Sequence, residues 1–151
     1  MLVLLYFAVS APRATSAETL QDFDLDAVTV TDAYYVNATH QELTYLMSLD
    51  PDTLLGGFKA VSQRLDPSTA PNITLYGGWE ASRSLIRGHT MGHFLRAMAQ
   101  AYKETKLSDP TTSAQIGTTI DYIIGQLQSF QATDGYLFAT TVNQFNIRKR
   151  G

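Results

Sequence analysis

The sequence predicts a mainly α fold, a run of helical hairpins behind a short extended lead-in. Three observations predict it. Apolar residues recur at three- and four-residue spacings along most of the chain. Two Asp-Pro steps, Asp50-Pro51 and Asp109-Pro110, carry the signature of a helix start. Alternation with a period of two is confined to one stretch, Val28-Thr29-Val30-Thr31.

At 151 residues the chain is long enough for one domain with a real core. Hydrophobic residues make up 44% and charged residues 17%, an ordinary globular balance that argues against disorder. A formal charge of -3 excludes long-range attraction to nucleic acid or to an anionic membrane surface. The basic run Arg148-Lys149-Arg150 reads as a solvated tail. The sequence has no cysteine, which excludes disulfides, thiolate metal ligands and a cysteine nucleophile within this chain.

Residues 1–17 read as a secretory leader. Leu2 to Val9 is apolar, and Ala14-Thr15-Ser16-Ala17 supplies small residues at a cleavage pattern. The apolar run is far short of the roughly 20 residues needed to span a bilayer. Two N-x-T acceptors, at Asn37 and Asn72, fit an exported glycoprotein, so a secreted location is expected. Residues 18–36 are expected to be the extended lead-in, with Val28 and Val30 on one side of a half-buried strand.

Residues 37–142 are expected to be helical. Asn37 is a suitable N-cap for a first helix with Leu43, Leu46 and Met47 on one face. Asp50-Pro51 opens a second, with Leu54, Phe58, Val61 and Leu65 in register, although Gly56-Gly57 is costly in a helix interior. Residues 66–78 are rich in Pro, Ser, Thr, Asn and Gly and read as a loop. A third helix over about 89–103 carries Met91, Phe94, Leu95, Met98 and Tyr102 as one stripe. The fourth, from Pro110, carries Ile116, Ile120, Ile123, Ile124, Leu127 and Phe130. Asp134-Gly135 is a turn, and Tyr136-Leu137-Phe138 a short apolar return. Residues 143–151 lack periodicity and are expected to be an irregular tail.

The chemistry-bearing residues cluster in Tyr76-Gly77-Gly78-Trp79-Glu80 and in Arg87-Gly88-His89-Thr90-Met91-Gly92-His93. His89 and His93 lie one turn apart, on the side away from the stripe centred on Met91, with Gln100 near them. Three readings stay open. The pair can be a solvated helix face. It can be part of a zinc site, although no glutamate stands between the histidines and no third ligand is evident. It can line a sugar cavity, with Trp79 as stacking platform and Glu80 and the imidazoles as hydrogen-bonding groups.

The order and separation of these segments carry a resemblance. Phe23-Asp24-Leu25, Leu49-Asp50-Pro51-Asp52, Leu54-Leu55, the Gly-Gly-Trp-Glu and Gly-His-x-x-Gly-His-Phe-Leu segments and Asp134-Gly135-Tyr136-Leu137 together resemble the N-terminal part of the β-L-arabinofuranosidase-like enzymes of glycoside hydrolase family 127. The resemblance implies the opening part of an (α/α)6 toroid and a carbohydrate substrate. It also implies a zinc-held cysteine nucleophile and a glutamate acid/base, all in later parts of the family's chain. On that footing the expectation is a segment of a secreted glycosidase without catalytic residues or cofactor of its own, inactive alone. Trp79, Glu80, His89, His93, Asp134 and Tyr136 are its candidate substrate-binding residues. A non-catalytic secreted module that binds glycan or a protein partner is the alternative.

Overall fold

The computed structural model describes residues 20–67 and 69–150, with the side chains of 147–150 excepted. The leader expected over 1–17 lies outside the described residues. Among those described, the regular structure is five α-helices and two 3-10 turns: a 3-10 turn at Leu25–Ala27, α1 Ala33–Ser48, α2 Pro51–Ser62, a 3-10 turn at Gly78–Glu80, α3 His89–Ser108, α4 Pro110–Phe130 and α5 Val142–Arg150. No described helix is long and apolar enough to cross a membrane.

Three helix starts share one device. Asp32, Asp50 and Asp109 each sit at an N-cap and accept backbone N–H groups of the first turn. For α2 and α4 the following proline gives up an N–H that would have no partner there anyway. Asp50 also takes the Thr53 hydroxyl, and Asp109 the Thr112 hydroxyl. Those bonds to the ionised form hold both carboxyls below the usual aspartate range.

The structure corrects two boundaries and the strand. The first helix begins at Ala33, capped by Asp32, rather than at Asn37. Asn37 therefore lies inside the helix, on its exposed side. Val28 and Val30 are not in a strand; they are about half exposed, at 54% and 51%, and have no neighbouring strand to pair with among the described residues. The expected irregular tail is α5. Its start is a reciprocal capping pair: Thr141 N–H donates to Gln144 Oε1 at 3.1 Å and Gln144 N–H to Thr141 Oγ1 at 3.4 Å.

The core is a single cluster. Leu54, Leu55 and Phe58 of α2, Met91, Phe94 and Met98 of α3, and Ile116 and Ile123 of α4 meet with Leu46 and Ala139. Helix α3 packs mainly on α4 along its length, α2 leans on α4, and α1 rests on α3. Each expected stripe is present but narrower than its sequence pattern. Ile124 remains 50% exposed, and Met47 and Tyr102 are 38% exposed.

Gly56 and Gly57 earn their place in α2 by packing. A Cβ on Gly56 would lie 2.3 Å from the Thr74 carbonyl oxygen, and one on Gly57 would lie 2.9 Å from Ala139 Cβ and 3.0 Å from Arg87 Cδ. Their bare backbone lets the 72–76 loop and the 87 and 139 segments close over the helix. Tyr76 helps to hold that loop, its hydroxyl accepting the Asp50 N–H at 2.8 Å.

Candidate functional site

Helix α3 starts where Gly88 turns the chain with φ +90, a left-handed conformation that favours glycine. A Cβ there would lie 2.7 Å from Ala139 Cβ and 3.0 Å from the Phe58 ring, so glycine is required twice over. The helix has no side-chain cap from its own flank. Glu80, eight residues upstream and only 6% exposed, caps it instead. One carboxylate oxygen accepts Gly88 N–H at 2.7 Å and the other Thr90 N–H at 2.9 Å. A negative charge at a helix N-terminus also complements the dipole.

The 3-10 turn that buries Glu80 turns Trp79 outward, 65% exposed. The indole lies 5.8 Å from the His89 ring, centroid to centroid, with the planes tilted by 59°. One turn along α3, the His93 ring stands edge-on to His89 at 4.5 Å, and their Nε2 atoms are 3.0 Å apart. One ring must carry its proton on Nε2 and the other must accept it. Both histidines are exposed, on the side away from the Met91 stripe where helical arithmetic places them. Trp79, His89 and His93 thus form one exposed aromatic cluster on a turn and a helix end that Glu80 ties together.

Arg87 is the buried pin beneath it. At 1% exposure its Nε donates to the Ala139 carbonyl at 2.8 Å, and Nη1 donates to the carbonyls of Ala81 and Ser82. Burial lowers the pKa of the guanidinium, and the carboxylates of Asp66 and Glu80 oppose that shift. A guanidinium nonetheless stays charged in a protein. Nothing in the one-dimensional pattern singles out Arg87 as the link between the 81–82 loop and residue 139.

Asp134 and Tyr136 stand apart from the aromatic cluster. Asp134 accepts Tyr136 N–H at 3.0 Å, closing a turn in which Gly135 has φ +87. The Tyr136 hydroxyl donates to the Thr140 carbonyl at 2.6 Å. Both residues line a hollow of about 830 Å³ between the C-terminal ends of α2 and α4 and the start of α5. Trp79, His89 and His93 are not among its lining residues. The six candidates therefore fall into two groups, joined through Arg87 and the Ala139 backbone.

Both oxygens of Glu80 are committed to backbone N–H groups, so it is a positioning group and not a free acid or base. The resemblance implies zinc in later parts of the family's chain. Among the described residues no three of His, Cys, Asp and Glu converge. Two imidazoles leave a tetrahedral site two protein ligands short.

The described residues thus form a domain of α-helical hairpins with an exposed aromatic and histidine cluster where a turn meets a helix start. A family model described as beta-L-arabinofuranosidase, GH127 catalytic domain, matches residues 27–151. The chain belongs to that glycoside hydrolase family, and its mainly α hairpins agree with the toroid that the resemblance implies. No curated protein and no solved structure matches it.

Proposed function

We propose that this chain is the glycan-binding helical segment of a secreted glycoside hydrolase acting on β-L-arabinofuranosides or related plant-type glycans, and that it binds sugar without hydrolysing it. The observation that carries the reading is the exposed Trp79–His89–His93 cluster inside the family-matched region. An indole face stacks on the C–H face of a sugar ring, as its flat apolar surface suits. The two imidazoles, already one hydrogen bond apart, exchange their mutual bond for bonds to ring hydroxyls. Hydrolysis would need an activated nucleophile. The sequence has no cysteine, and Glu80 is occupied as a helix cap.

The test uses the purified protein with two probes. An aryl β-L-arabinofuranoside reports turnover, and methyl β-L-arabinofuranoside reports binding through the emission of Trp79, the single tryptophan. The expected result is no turnover, with saturable quenching that His89→Ala weakens. Turnover abolished by Glu80→Gln would overturn the reading and point to carboxylate catalysis.

A second reading has one observation in its favour. Phe23 of the lead-in is 83% exposed, and Tyr34 and Tyr35 in the first turn of α1 are 76% and 62% exposed, an apolar surface suited to a protein partner. In that non-catalytic module, quenching by the sugar would be absent.

A further inference from the structure

Helix α3 contains one glycine, Gly92, and no contact among the described residues accounts for it. Gly56, Gly57 and Gly88 each sit where a Cβ would meet a neighbouring atom closer than 3.0 Å, and Gly88 also needs its positive φ. At Gly92 a Cβ would meet no described atom within 4 Å apart from its chain neighbours and its own helix backbone, and the backbone conformation is one that any residue adopts in a helix. Helix propensity runs against glycine at an exposed interior position. The fold therefore gains nothing from it.

Its neighbours supply a reason. His89, Gly92, His93 and Arg96 follow the i, i+3, i+4, i+7 pattern of one helix face. All four are exposed. The missing side chain leaves α3 bare between the two imidazoles and the guanidinium, on the helix whose first residue meets Trp79.

We propose that Gly92 is the floor of the sugar site, where a furanoside ring beside Trp79 approaches the α3 backbone more closely than any side chain would allow. The proposal rests on the glycan-binding reading of Trp79, His89 and His93. A methyl group at position 92 would stand in the space that the ring occupies. Gly125 of α4 is the matched control, since a Cβ there also meets nothing within 4 Å and the residue lies outside the cluster.

Wild type, G92A, G125A and H89A are compared by thermal melting and by titration of Trp79 emission with methyl β-L-arabinofuranoside. Alanine is the better helix former, so both glycine variants should melt about 2–4 °C higher than wild type. G92A should bind the sugar about tenfold more weakly, a loss of about 1.4 kcal/mol, and G125A should bind as wild type does. Wild-type affinity in G92A, with H89A impaired, overturns the proposal and leaves the glycan reading standing. Wild-type affinity in H89A removes that reading and the proposal with it. A lower melting temperature for G92A would reveal a neighbour at that position and overturns the proposal as well.

Discussion

Replacing Glu80 by alanine should loosen the start of α3 and release the aromatic cluster in the same step. The side chain is 6% exposed and accepts two backbone N–H groups, at 2.7 and 2.9 Å. Hydrogen bonds to a charged partner contribute roughly 1.5–3 kcal/mol each, and a buried donor left without a partner loses its desolvation as well. Thr90 N–H is only part-buried and recovers some of that from water, whereas Gly88 N–H is buried and does not. The expected destabilisation is about 2–4 kcal/mol once the lost dipole interaction is included. With a urea dependence of about 2 kcal/mol per molar, the middle of the usual range, the unfolding midpoint should fall by about 1–2 M. Glu80→Gln keeps the volume and one acceptor oxygen, so it should lie between wild type and alanine. Trp79 emission should change in parallel, because the indole and His89 hold their 5.8 Å contact from the two ends of this cap. A midpoint for Glu80→Ala within about 0.3 M of wild type would refute the capping argument, since even one lost bond exceeds that.

The remaining expectations concern acid, surface and export. Asp50 and Asp109 have folded pKa values below the ordinary 3.8, owing first to the Thr53 and Thr112 hydroxyls. Their contribution is present above that value and lost as pH falls through the lower folded values. Asp50→Ala and Asp109→Ala should therefore destabilise at neutral pH and lose less than wild type below about pH 4, as followed by circular dichroism. Leu20 at 97%, Phe23 at 83% and Leu107 at 73% exposure should make the protein bind a hydrophobic dye or self-associate; a dye-silent monomer would contradict this. Intact-mass measurement of secreted material should give a mature N-terminus at Glu18 with glycan on Asn72, which lies in an exposed turn, or on Asn37 on the exposed side of α1. A product that begins at Met1 and bears no glycan would refute it.

What the sequence disclosed depended on whether the deciding signal was local. Asp50-Pro51 and Asp109-Pro110 located two helix starts, because a cap and a proline act within one turn. Asp32 was missed because Tyr34, Tyr35 and Val36 have β-type propensities and prolong the alternation of Val28 and Val30. The packing of α1 on α3 overrides that preference. The α5 helix has no apolar period, but Thr141 and Gln144 already spell its capping pair. At the site, the placement of His89 and His93 off the apolar stripe followed from helical spacing alone. The role of Glu80 did not, because its partners lie eight and ten residues away and become visible only in three dimensions. Asp134 and Tyr136 were grouped with the histidines by motif order, which carries no information on distance.

The close approaches over Gly56 and Gly57 reach beyond packing into heredity. Thr74, Arg87 and Ala139 press on two consecutive positions that have no side chain to yield. A mutation at Gly57 would be felt through Arg87 at the start of α3, and one at Gly56 through the loop that carries Ile73, Thr74 and Leu75. Across descendants of this gene, Gly57 and the side chains at 87 and 139 should drift together or not at all, as a hereditary unit assembled from three separate stretches of chain, whereas Gly56 answers to the backbone at 74 whatever side chain stands there.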